Sequence, residues 1–223
     1  MKRTKLSDRQ LPDYTAGEEC MNMVTHIVGG GLAVIALIVC CWVAALHQTL
    51  CGILCAAIYG ISMVALYCMS SIYHGLRPCT GKKVLQVLDH CTIYFLIAGT
   101  YTPIALVAIR PVYPILGWGL TVFQWALTAL AVTLTAIDLK KYNAFSMICY
   151  ICMGWAILPF MRQAQEVLGA AGFSFLLAGG IAYTIGAILY GVGSKKHWFH
   201  SIFHVFVVLG SALQLVCIIF YVL

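Results

Sequence analysis

Five residues of this 223-residue chain are of types and spacings that could do chemistry: Ser70, His74, Asp89, His200 and His204. Ser70 and His74 lie four apart, as do His200 and His204, and that spacing keeps two side chains on one face of a helix. Three imidazoles suit a catalytic zinc ion, which takes three protein ligands and leaves a fourth position for water. Neutral imidazole is cheaper to bury than a charged ligand, since the ion then supplies the charge. Water on such an ion can have a pKa near 7. Asp89 would hold or deprotonate that water, and Ser70 would hydrogen-bond it or an oxyanion. This is the set of parts a hydrolase needs. A lone H-x-x-x-H is common by chance, and a single membrane histidine is usually a helix–helix hydrogen-bond partner, so the prediction rests on the residues meeting.

Composition decides what must bring them together. The chain is 62% hydrophobic and 9% charged, with a mean hydropathy of +0.96, where soluble domains carry roughly 25% charged residues. It is an integral membrane protein. A bilayer core about 30 Å thick takes a helix of roughly 20 apolar residues, and seven such stretches are predicted, over 23–46, 51–74, 85–109, 115–137, 144–161, 171–191 and 199–222. The breaks between them are short and polar, among them GLRPCTGKK (75–83), DLKKYN (138–143) and GVGSKKHW (191–198). Such connections make sequential helices antiparallel neighbours. The expected fold is an all-α seven-transmembrane-helix bundle over residues 21–223, preceded by a cytoplasmic segment at 1–20. The ten-residue alternating segments of a membrane barrel are absent. The first apolar stretch is far longer than the core of a signal peptide and is expected to be retained.

Lys and Arg set the orientation. Lys2, Arg3, Lys5, Arg9, Arg77, Lys82, Lys83, Lys140, Lys141, Lys195 and Lys196 fall on one side of the predicted bundle, and only Arg110 and Arg162 on the other. Positive residues mark the cytoplasmic side, which places the N-terminus inside and the C-terminus outside. The net charge of +6 is then a basic rim facing anionic headgroups, and no nucleic acid partner is implied. With this orientation His74 ends the second span, Asp89 opens the third, and His200 and His204 open the seventh, all at similar depth on the inner side. An acid within a span costs about 2.5 to 3.5 kcal/mol on insertion scales, so Asp89 is expected to face the interior for a functional reason. Most of the 11 cysteines lie within spans, where Cys acts as a small apolar residue. Neither a disulfide framework nor a metal site at Cys149-x-x-Cys152 is expected.

The segments SSIYH (70–74), LDHCTIYFLIAGTYTP (88–103) and HSIFHVFVVLGSALQ (200–214), with GEECMNMVTHIVGG (17–30) at the first span, resemble the hemolysin III family. That family is grouped with the progestin and adiponectin receptors and related to alkaline ceramidases. The resemblance covers nearly the whole chain. It implies zinc bound by His74, His200 and His204, with Asp89 contacting the metal-bound water and Ser70 close by. It further implies a multi-pass protein of the bacterial plasma membrane and a link to hydrolysis of lipid amides.

Other residues stay open at this stage. Glu19, Asn22 and His26 share a face at the start of the first span and either orient a ligand imidazole or anchor the helix start. His90 and His197 are expected at the water boundary, and His47 lies on the far side. Gly29–Gly31, Gly179, Gly180 and Gly186 are expected to allow close helix approach, and Pro103 and Pro159 to kink their helices. Three functions compete: a zinc-dependent hydrolase of lipid amide or ester bonds, a zinc-stapled module that senses membrane state, and a haemolysin-like pore former. Membrane lipids are the expected partners; substrate and oligomeric state stay open.

Overall fold

The computed structural model describes residues 4–193 and 196–223. Lys2, Arg3 and Lys195, counted above on the cytoplasmic side, lie outside the described residues. The main helices are α1 (Ala16–His47), α2 (Leu50–Gly75), α3 (Thr80–Pro103), α4 (Pro114–Ile137), α5 (Asn143–Gly154), α6 (Met161–Val192) and α7 (Phe199–Tyr221), and no strand occurs among the described residues. Large apolar side chains cover the outside, as a lipid-facing surface requires: Ile35 is 59% exposed, Trp42 65% and Ile115 93%.

Helix α1 starts at Ala16 and not near residue 23 because Thr15 and Glu18 form a reciprocal cap. The Thr15 hydroxyl accepts the Glu18 N–H at 3.3 Å and the Glu18 carboxylate accepts the Thr15 N–H at 2.9 Å, which satisfies two otherwise orphaned donors. The consequence is functional. Glu18, Glu19 and Asn22 stand on a helix inside the bundle instead of in a tail.

Six helical stretches are long and apolar enough to cross a membrane: Ala16–His47, Leu50–Gly75, Thr80–Ile109, Pro114–Ile137, Asn143–Val192 and Phe199–Tyr221. The count differs from the expected seven because the fifth stretch, 50 residues long, takes in both the fifth and the sixth predicted spans. It is interrupted twice. Around Pro159 the α-helix gives way to turns and a short 3-10 segment, Leu158–Phe160, and at Gly169 the backbone turns to φ 68°, ψ 169°. The first interruption is built into the core. The Tyr101 hydroxyl donates to the Gly154 carbonyl at 2.8 Å and accepts the Ile157 N–H at 3.1 Å, so the groups freed by the lost helical ladder stay bonded in a place without water. Past Pro103 the third helix widens into a π-helical stretch, Ile104–Ile109.

Close packing is concentrated between α1 and α2. A Cβ on Gly60 would stand 2.6 Å from the Leu37 Cα, and one on Gly29 2.4 Å from the Tyr67 ring. Only glycine lets the two helices approach this far. Gly31 has nothing nearby.

Polar contacts gather at two ends of the bundle. At one, the Gln48 amide donates to the Leu223 carbonyl at 3.1 Å and the Tyr113 hydroxyl to Glu166 at 2.5 Å. At the other, the N-terminal segment lies against the α4–α5 loop: the Thr4 N–H donates to Asp138 at 3.0 Å and the Arg9 guanidinium to the Ile137 carbonyl at 3.3 Å. His74, His200 and His204 lie at this second end.

Candidate metal centre

His74 stands in the last turn of α2, and His200 and His204 in the first turns of α7. The start of α7 is tied to the start of α1, since a Glu18 oxygen accepts the Trp198 N–H at 2.6 Å and the other lies 3.2 Å from His197 Nδ1. Trp198 adopts φ 68°, an uncommon conformation for a bulky residue that this bond helps to hold. The fastening fixes which way the α7 histidines face.

His200 Nε2 lies 3.4 Å from His74 Nε2 and 3.0 Å from His204 Nε2. One ring nitrogen from each of the three falls within 4.8 Å of the others, and the group could hold a metal ion. Two nitrogens each about 2.05 Å from a tetrahedral ion stand about 3.3 Å apart, close to the separations seen. The opposite edges of two rings are held as ligands require. His74 Nδ1 lies 2.6 Å from Glu19 Oε2, and His204 Nδ1 3.3 Å from the Asn22 carbonyl oxygen. An Nδ1–H donated to each acceptor assigns the tautomer that leaves Nε2 free to ligate.

Glu19 is itself held. Lys82 Nζ donates to Glu19 Oε1 at 2.6 Å and to the Leu76 carbonyl at 2.8 Å, and Lys82 is only 3% exposed. The ammonium that the sequence places among the loop cations is therefore a buried partner of the carboxylate. No feature of the sequence separates it from Lys83. Tyr14 stacks on His200, with centroids 4.9 Å apart and planes at 18°, and covers the group from the N-terminal side. It too carried no signal in the sequence. Glu19, Asn22 and His26 were legible through their shared helix face, and all three meet the histidine cluster.

A cavity of about 130 Å³ opens beside the histidines. Ser70, Asp89, His200 and His204 line it together, so four of the five residues named first border the same cavity. The Ser70 hydroxyl is buried without a hydrogen-bond partner among the described residues, and the Asp89 side chain is 13% exposed. Leu66, Ile97, Leu176 and Val207 make the deeper walls apolar. His90, expected at the water boundary, lines the cavity as well, with Nδ1 2.8 Å from the Gln86 carbonyl oxygen and Nε2 3.4 Å from the Tyr190 hydroxyl. The His197 side chain is 70% exposed, as its boundary position predicts.

Fold and site thus define a class: a multi-pass helical membrane protein in which three clustered histidines could hold a metal ion, two of them, His200 and His204, lining a largely apolar cavity. The family model described as Haemolysin-III related matches residues 14–215, and the chain belongs to that family. It is 39% identical over 206 residues to "Hemolysin-3" of Bacillus cereus, covering 92% of each chain. It is 36% identical over 208 residues to "Hemolysin-3 homolog" of Bacillus subtilis (strain 168), covering 93% of this chain and 96% of that protein. A more distant match, 25% identical over 167 residues, is the human "Monocyte to macrophage differentiation factor", with 71% of this chain and 66% of the relative covered.

Proposed function

We propose that this protein is a zinc-dependent hydrolase that cleaves an amide or ester bond of a membrane lipid. One observation carries the proposal: the Nε2 atoms of His74, His200 and His204 converge at separations suited to a single ion, beside an apolar cavity that Ser70 and Asp89 also line. His74, His200 and His204 would hold the ion, which would supply an acidified water, of pKa about 7, for the attack. Asp89 accepts a proton from the attacking water and returns it to the leaving nitrogen or oxygen as the bond to the acyl carbon breaks. Ser70 donates a hydrogen bond to the oxygen on which charge develops. Glu19 and Asn22 orient His74 and His204, and the apolar walls take the acyl chain. Three protein ligands favour this role over a structural staple, which normally has four.

The chain crosses the membrane seven times in this proposal, reversing at Gly169, with its N-terminus in the cytoplasm and the histidine layer on the inner side of a bacterial plasma membrane. Supporting this, Arg9, Arg77, Lys82, Lys83, Lys140, Lys141 and Lys196 lie towards the histidine end, while Arg110 and Arg162 lie towards the other. The Tyr113–Glu166 bond pairs the α3–α4 loop with the segment just before Gly169, and the Bacillus relatives agree with a bacterial setting.

Metal analysis and lipid turnover test the proposal together. Purified wild type is expected to carry about one zinc per chain, and His200→Ala with His204→Ala to carry none. Wild type should cleave at least one member of a panel of ceramides, N-acyl amides and acyl esters, and Asp89→Ala should not. Wild type without zinc would sink the metal assignment, and zinc-loaded protein that cleaves nothing in the panel would sink the hydrolase.

A further inference from the structure

The triad leaves a fourth imidazole unexplained. His26 stacks on His204, with centroids 3.7 Å apart and planes at 18°, and meets the Tyr67 ring edge-on at 5.1 Å. It is 3% exposed, and neither of its ring nitrogens has a hydrogen-bond partner among the described residues. Buried polar groups are nearly always bonded, and an unbonded one calls for an explanation. Packing alone is a poor one, because an apolar ring would stack on His204 without leaving two nitrogens unmatched.

Position supplies a better explanation. His26 lies one turn beyond Asn22 on α1, and Ser70 one turn before His74 on α2, so the two lie one helical turn deeper than the residues that hold the triad. Both line the cavity, and the Ser70 hydroxyl is unpartnered too. Beyond them the wall turns apolar at Leu66 and Val207. A ligand that fits this sequence has a polar linkage at the histidine layer and a hydrocarbon tail beyond it. Neutral imidazole offers one N–H donor and one acceptor nitrogen.

Building on the hydrolase proposal, we infer that His26 is a substrate-contacting residue that donates a hydrogen bond to the carbonyl oxygen of the lipid's amide or ester linkage, paired across the cavity with Ser70. It does not ligate the metal. Its part is to hold the scissile group beside the triad while the tail lies among the apolar walls.

The test compares wild type with His26→Asn, which keeps a donor, and His26→Phe, which keeps the stacked ring and removes the donor. Each is purified into lipid nanodiscs, and three quantities are read: zinc content, binding of a pyrene-labelled N-acyl amide, and its cleavage. All three proteins should hold equal zinc. His26→Phe should bind the amide about tenfold or more weakly, and His26→Asn should recover most of the affinity. Unchanged binding in His26→Phe overturns the assignment, as does equal loss in both variants, which marks a packing role, or loss of zinc, which places His26 in the metal site. Wild type that binds the amide but cleaves nothing in the wider panel sinks the hydrolase alone. Wild type that does not bind the amide overturns the His26 assignment, whatever the panel shows.

Discussion

The two sides of the bundle are built differently. Where α1, α2 and α7 meet, glycines bring backbones together and the histidines are pinned by neighbours: Glu19 on His74, the Asn22 carbonyl on His204, and Glu18 on the start of α7. On the α4–α5 side the helix breaks at residues 155–160, and a lipid-facing crevice of about 770 Å³ lies between Phe123, Cys152 and Phe160. A metal centre needs ligands fixed to within tenths of an ångström, whereas a space for a lipid tail needs only apolar walls. The difference teaches that bonded partners are concentrated around the histidines, while the longer stretch of irregular backbone, at 155–160, lies on the side that shapes the cavity.

Breaking the pinned side should give the largest effect. Glu19→Ala removes the carboxylate that orients His74 and leaves Lys82 buried beside an unanchored imidazole. Zinc affinity is expected to fall 10- to 100-fold, as is typical for loss of such a partner. Chelator competition on the purified protein measures it. An unchanged affinity would mean that His74 is positioned by packing alone.

An intermediate effect is expected from the other side, and it should spare the metal. Tyr101→Phe removes the hydroxyl that serves both Gly154 and Ile157, which costs about 1–3 kcal/mol for the groups left unbonded. The unfolding midpoint should drop while zinc affinity stays within about twofold of wild type. Equal loss of both would show the two sides to be one cooperative unit.

The smallest effect sharpens the boundary of the pinned side. Backbone N–H groups of Thr4 and Lys141 bond the Asp138 carboxylate and hold its pKa down at about 2, below the usual 3.8. A depressed folded-state value stabilises the docked N-terminal segment fully above the unfolded value, and the contribution is lost as pH falls from about 3.8 through 2. Asp138→Asn should therefore raise the protease sensitivity of residues 4–13 at neutral pH, and the gap from wild type should close under acid. No gap at neutral pH would assign the docking to Arg9 instead, and a gap that persists at the lowest pH would show that the carboxylate charge is not what holds the segment.

Much was determined by the sequence alone. Hydropathy settles an all-helical membrane protein because a bilayer admits no unpaired backbone, and the i, i+4 pairs settle which histidine and serine side chains share a face. Those are local properties. The tertiary structure decided the rest. Lys82 and Lys83 are indistinguishable neighbours in the chain, and only the fold, which brings the first turn of α3 to Glu19 on α1, buries one of them. His90 sits at what the sequence makes a water boundary, yet it faces the cavity because α3 begins at Thr80, earlier than the apolar run suggests. Pro159 and the polar break before residue 171 signal the interruptions near 155–160 and at Gly169, but the Tyr101 hydroxyl that satisfies the first arrives from another helix and only the fold reveals it. Each side chain's partners come from residues far away in the chain, and only the folded packing brings them close enough to bond.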